Sequence, residues 1–275
     1  MTRIAIIARD AINSPNMSES DAAILECIAG ELATMGVETI NGTTADENID
    51  AICHMSRNGM TLEKIAALEK KGTRAFNRAS AVKMCSREAF TYALHGKGIP
   101  QARFCILKKK EELETLAYPA WIKNGSGWSI ERHDVCHAAN AEEAAEAFCA
   151  MRKRGVSSIM YFEHIEGDII KFYGVGGDYF RYCYPDPEKS KFGLEKMNGT
   201  PRHYPFDAER LKDIAVRAAR TVGLDIYGGD CIVTADGEIF IIDLNDFPSF
   251  SAIRAEAAKE IAAYITRTVK EESSK

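Results

Sequence analysis

The order of apolar runs along this chain of 275 residues predicts an α/β (α+β) protein, a small parallel layer followed by two α+β units. Three observations predict it. Strand-like and helix-like segments alternate through the first third. A second unit opens on an apolar strand that ends in a lysine and a small-residue loop. Near the C-terminus, two short apolar runs are joined by Asp236-Gly237.

In the first third, Ile4 to Ala8 is a short apolar run and Ser20 to Met35 has helical spacing. Glu38-Thr39-Ile40 and Ala51 to Met55 are strand-like, and Leu62 to Lys71 reads as a helix ended by Gly72. This β-α-β-α order indicates parallel strands. No Gly-x-Gly-x-x-Gly follows the first strand, which disfavours a dinucleotide-dependent dehydrogenase. After Asn77 a helix carries Lys83 and Arg87, one turn apart on one face, and Gly98-Ile99-Pro100 stops it.

The second unit begins with Tyr118 to Lys123, followed by Asn124-Gly125-Ser126-Gly127-Trp128-Ser129. A lysine ending a strand just before such a loop is placed to meet phosphate, because backbone N–H groups and an ammonium converge there. The Gly-Lys-Ser/Thr of a P-loop is missing. A helix over Ala141 to Arg154 precedes the run Ser158 to Asp168. Ile169 to Val175 and Tyr179 to Tyr182 then read as paired strands that carry Lys171 and Arg181, cations able to bind anions if they converge on a cleft. The segment from Tyr184 to Tyr204 is long enough to be a functional loop.

Asp-Gly between β-rich runs is a strong short-range signal for a two-residue hairpin loop. With that loop Ala235 faces Glu238, and pairing back from there sets Asp230 opposite Asp243, with Asn245 on the same face. Directly paired strand residues have Cβ atoms about 5 Å apart, so the two carboxylates repel unless a cation lies between them. An all-oxygen set of this kind suits Mg²⁺ whose shell is completed by nucleotide phosphates.

Composition narrows the functional classes. A net charge of −5 argues against nucleic acid or an anionic membrane as the main partner. No apolar run is long enough to span a bilayer and the N-terminus begins a strand, so the protein is expected to be cytoplasmic. The eight cysteines form no Cys-x-x-Cys pair and are expected to be reduced. His133-Asp134-Val135-Cys136-His137 looks like a ligand cluster, but as a strand it would divide its side chains between two faces.

From Asn77 to Phe250 these pieces resemble, in order, the ATP-grasp superfamily. The resemblance implies two α+β subdomains enclosing ATP after an N-terminal α/β domain, with boundaries at 1–100, 101–166 and 167–275. It implies nucleotide binding by Lys83, Lys123, the loop residues Gly125, Ser126, Gly127 and Ser129, the hinge Glu163, His164 and Ile165, and Asp168. It places Asp230, Asp243 and Asn245 at the Mg²⁺ (or Mn²⁺) positions. Arg181, Lys171 and Arg254 are the candidates for contacting the transferring phosphoryl or the acceptor. The compact layout is similar to glutathione synthetase and ribosomal-protein glutamate ligase relatives. That similarity implies a ligase activating a small-molecule or peptide carboxylate as an acyl phosphate for an amine or thiol, and a homodimer as in many relatives. Asp243 stands where ligases more often carry glutamate. Asp243-Leu244-Asn245 before Phe247-Pro248, and the run Ile170 to Gly176, also resemble inositol-phosphate kinases. A small-molecule kinase is therefore the alternative, disfavoured by the net acidity.

Overall fold

The computed structural model describes residues 2–42, 48–186 and 197–274, so residues 187–196 of the expected functional loop lie outside the described residues. Three four-stranded sheets organise the described residues. The first is parallel, in the order β2-β1-β3-β4, and is built from β1 (Arg3–Ile7), β2 (Glu38–Asn41), β3 (Ala51–His54) and β4 (Arg74–Phe76). Helices α1 (Ser18–Thr34) and α2 (Gly59–Lys70) make its crossovers, as the alternating pattern predicts. Asn58 starts α2 by accepting a hydrogen bond from the Thr61 N–H at 3.1 Å.

The expected single helix after Asn77 is two helices, α3 (Ala79–Met84) and α4 (Arg87–Gly96). Ser86 is extended (φ −62°, ψ 142°) and restarts the chain as the N-cap of α4. Lys83 and Arg87 consequently do not share a helix face.

The second sheet is antiparallel, in the order β5-β8-β6-β7, from β5 (Phe104–Leu107), β6 (Ala120–Asn124), β7 (Val135–Ala138) and β8 (Ile159–Glu163). One face packs Ala120 and Ile122 against Ala144, Phe148 and Met151 of α5 (Ala141–Lys153). The other carries the smaller apolar cluster of Ala102, Met160 and Phe162, with Trp121 beside it. His133 falls in a 3-10 turn ahead of β7 rather than in the strand.

The third sheet, in the order β10-β9-β11-β12, comprises β9 (Asp168–Val175), β10 (Tyr179–Cys183), β11 (Ile226–Val233) and β12 (Ile239–Asp246). A helix absent from the sequence expectations, α6 (Ala208–Val222), lays Leu211, Ile214 and Ala218 on Ile170, Phe172 and Cys231. Asp207 caps its N-terminus and Gly223, at φ 83°, ends it in the left-handed region. The final helix α7 (Arg254–Ser273) packs Ile261 and Ile265 into the core that also takes Ile24 and Ile28 of α1. Its N-cap is Ile253, with no side-chain cap bond.

The hairpin of β11 and β12 corrects the sequence reading twice. Thr234 pairs with Glu238 across a three-residue loop, in which the Gly237 N–H donates to the Thr234 carbonyl at 2.9 Å and Gly237 sits at φ 79°. That shifts the pairing by one residue, so Cys231 faces Ile241. A bulge then inserts Ile242 and restores the predicted pairing of Asp230 with Asp243. The bulge also switches faces. Ile239 and Ile241 point to the α6 core, as Leu244 does beyond it. Asp243 and Asn245 are thereby turned to the opposite side.

Candidate active site

A cavity of about 600 Å³ runs between the second and third sheets, reaching the N-terminal layer at one end. Its third-sheet wall is the strand row just described. Asp230 on β11 is flanked in register by Lys171 on β9 and Asp243 on β12. The Lys171 ammonium is 2.9 Å from Asp230 Oδ1, so a cation of the chain relieves part of the like-charge conflict. Asn245 Nδ2 donates to Asp243 Oδ2 at 3.2 Å. Backbone crowding is severe behind these groups, for a Cβ on Gly229 would stand 2.3 Å from the Asp243 carbonyl oxygen.

Arg87, buried at the start of α4, reaches over this row. Its Nη1 lies 3.4 Å from Asp243 Oδ1 and its Nη2 donates to Ser129 Oγ at 3.1 Å. Burial works to raise the Asp243 carboxyl. The nearby Arg87 and Lys123 cations and the Asn245 amide outweigh it, and the group is held below the ordinary carboxylate value.

Lys123 projects from β6 on the face that carries Trp121 and Phe162, its Nζ 4.9 Å from the Phe162 ring centroid. It is buried, at 8% exposure, yet its ammonium has no hydrogen-bond acceptor among the described residues. Desolvation, with the Arg87 charge, pushes it from 10.5 down to about 7, against the opposing pull of Asp243 and Asp230. A buried ammonium without an acceptor, in a cavity, is a site for an anion.

The sequence-chosen residues divide. Lys123, Gly127, Ser129, Glu163, Ile165, Lys171, Asp230, Asp243 and Asn245 all line the cavity. Lys83 is exposed on α3 and does not; Arg87 occupies the place expected of it. Gly125 and Ser126 form the base of the loop, where Gly125 bonds Ser158 and Ser126 N bonds Asn124. His164 turns aside, with its Nδ1 accepting the Trp121 indole N–H at 3.1 Å. The Asp168 carboxylate accepts the backbone N–H groups of Arg202 and Tyr204 at 2.7 and 2.9 Å, a structural use. Arg181 shares the sheet face of Lys171, in register with Tyr173, but pairs with Glu256 of α7 and does not line the cavity. Arg254 does not line the cavity either, and its Nε is buried without a partner.

Sequence reasoning passed over Arg57, Trp128 and Asp246. Asp246, 1% exposed, takes Arg57 Nη2 at 2.6 Å and Arg57 Nε at 2.9 Å. Arg9 Nη2 donates to the Phe247 carbonyl at 2.7 Å, bracing a turn in which Phe247 and Phe250 have φ of 46° and 49°. Left-handed backbone at such residues costs on the order of 1–2 kcal/mol each. Complete burial of both rings offsets it.

No group of three or more His, Cys, Asp and Glu side chains among the described residues could hold a metal ion by itself. The two carboxylates and the free Asn245 carbonyl oxygen nevertheless fit Mg²⁺, which is commonly bound through one or two carboxylates plus phosphates. Lys123, Lys171 and Arg87 fit the phosphates.

No family model matches the chain. Among solved structures it is similar to D-alanine--D-alanine ligase from Bacillus anthracis, with a TM-score of 0.70 and 15% identity over 99% of this chain and 100% of that one. It is likewise similar to a RimK domain ATP-grasp protein from Sphaerobacter thermophilus, with a TM-score of 0.69 and 17% identity over 96% of this chain and 100% of that one. The fold is the ATP-grasp fold. By sequence the chain is 24% identical over 216 residues to beta-citrylglutamate synthase B of Danio rerio, covering 72% of this chain and 51% of that protein. It is 23% identical over 211 residues to N-acetylaspartylglutamate synthase A of Mus musculus, covering 72% of this chain and 54% of that one. The chain thus spans about half the length of these curated relatives. No helix among the described residues is long and apolar enough to cross a membrane.

Proposed function

We propose that the chain is an ATP-dependent ligase that activates a small-molecule or peptide carboxylate and joins it to an amine or thiol. The observation that carries this reading is the buried Lys123 ammonium, without an acceptor, facing the Asp230–Asp243–Asn245 row across the cavity. Phosphoryl transfer depends on placement and charge neutralisation, and these residues supply both. Lys123 and Arg87 would hold phosphate oxygens of ATP from one side and Lys171 from the other. Mg²⁺, held by Asp230, Asp243 and the Asn245 carbonyl, would neutralise phosphate charge as it shifts toward the leaving ADP. Glu163 and Ile165, beside Trp121 and Phe162, would form the adenine end. A substrate carboxylate oxygen attacks the γ-phosphorus and the bond to ADP breaks. The amine or thiol then attacks the acyl phosphate carbon, phosphate leaves, and the nucleophile gives up its proton.

The names of the two synthases make an amino acid, glutamate first, the acceptor class to try. The test is ADP release over a matrix of carboxylates and amino acids, with mass spectrometry of the product. The ligase reading expects ADP and a condensed product only when both partners and Mg²⁺ are present. Stoichiometric phosphorylation of a single hydroxylated acceptor, with no condensed product in any pairing, would overturn it in favour of a kinase.

A further inference from the structure

Trp128 sits at the centre of the loop that follows Lys123, and its side chain leaves its own unit altogether. Its ring packs against the apolar core of the N-terminal layer, the cluster that contains Ile7, Ile52 and Val82. The Arg57 guanidinium, at the end of that layer, lies 4.8 Å from the ring centroid. The indole Nε1 donates to Asp246 Oδ1 at 3.1 Å. Asp246 is the residue after Asn245 and the last of β12, so one carboxylate receives the loop, the N-terminal layer and the strand of the candidate metal ligands. The loop backbone is seated separately: the Arg87 and Glu88 N–H groups at the start of α4 donate to the Gly127 and Gly125 carbonyls at 3.3 and 3.1 Å.

We infer that Trp128 is a positioning residue that latches the loop over the phosphate end of the cavity by hydrogen-bonding Asp246 and stacking on Arg57. The inference rests on the ATP-ligase reading for its catalytic meaning but not for its geometry. A seated loop puts Ser129 on Arg87, and Arg87 against Asp243. An unseated one opens the acyl phosphate to water, and hydrolysis then competes with attack by the acceptor. Because the latch site is shared between Arg57 of the N-terminal layer and Asp246 of β12, the nucleotide end closes only when that layer is docked on β12.

The test compares wild type with Trp128→Phe, which keeps a ring over Arg57 but loses the N–H. Hydrogen exchange is followed with and without the non-hydrolysable analogue AMPPNP and Mg²⁺. The expected result is at least a tenfold acceleration of exchange confined to residues 124–131, with AMPPNP affinity within about twofold of wild type. The ratio of ADP released to condensed product is expected to rise about fivefold. Wild-type exchange rates in that segment overturn the latch, and so does acceleration spread evenly over the chain. If wild type fails to bind AMPPNP, the ATP reading falls, while the exchange comparison in the nucleotide-free protein still decides the latch.

Discussion

Lys123 is the residue whose chemistry the fold alters most usefully. With its value lowered from 10.5 to about 7, the folded protein binds fewer protons at this site than the unfolded chain across that window. Stability without ligand therefore rises with pH from about 7 toward 10.5. An anion at Lys123 has the opposite preference, because it favours the charged form and takes up a proton on binding. At pH 8 a lysine with a value near 7 is only about one-tenth protonated, so close to one proton is expected to enter per nucleotide bound. Calorimetry at pH 8 in two buffers of different ionisation enthalpy reads this directly. Lys123→Arg should bind nucleotide with no such uptake, and equal enthalpies in both buffers for wild type would refute the assignment. Asp243 offers the complementary test. Asp243→Asn removes a carboxylate that Arg87, Lys123 and Asn245 keep ionised. Mg²⁺-dependent ADP release is expected to fall at least a hundredfold, with the thermal midpoint changed little because the side chain is 30% exposed.

At the scale of elements, the β11–β12 hairpin shows what could and could not be read. Asp236-Gly237 marks the turn and apolar alternation marks the strands, but a two-residue and a three-residue loop differ by the conformation of one residue, which the dipeptide does not declare. Asp230 and Asp243 pair as predicted because the bulge at Ile242 cancels the longer loop. A trace of the bulge lies in the sequence itself, where core-facing positions pass from 239 and 241 to 244. The α3–α4 break was hidden for a similar reason. Its apolar spacing continues across Ser86, and only the extended backbone there separates exposed Lys83 from buried Arg87. Deleting Ile242 should remove the bulge without turning the ligands, because Ile241 and Asp243 then become successive residues of a regular strand, Asp230 still pairs with Asp243, and Leu244 keeps its place on α6. The expected outcome is retained AMPPNP–Mg²⁺ binding by calorimetry. Loss of binding in a variant that still folds would show that the local bend of the bulge, and not the pairing alone, aims the ligands.

At the scale of the whole molecule, the cavity exists because the N-terminal layer and the third sheet are fused into one body while the second sheet keeps a core of its own. Sequence patterns announce strands and helices one at a time and carry little about such docking, which explains why Arg57, Trp128 and Asp246 stayed invisible: each acts across a boundary between units. The fusion has a polar centre at Asn77. Its Nδ2 donates to the Ile226 carbonyl at 2.7 Å, and its Oδ1 accepts the Asp225 and Ile226 N–H groups at 2.7 and 2.8 Å. Beside it Arg74 pairs with Asp225 at 2.8 Å, and α1 and α7 share one apolar core. Asn77→Ala strands three buried backbone groups at once, and each costs about 1–3 kcal/mol when left unmade. The variant is therefore expected to lose roughly 3–5 kcal/mol in urea unfolding, a large share of an ordinary domain's stability. Native-state hydrogen exchange should localise the loss. Amides of β1, β3, β9 and β11 are expected to lose protection together, because they open as one unit, while β6 and β8, packed on α5, keep wild-type rates. Loss confined to β1–β4, with β9 and β11 unaffected, would mean that the N-terminal layer opens alone and that the cavity's two ends are not mechanically joined.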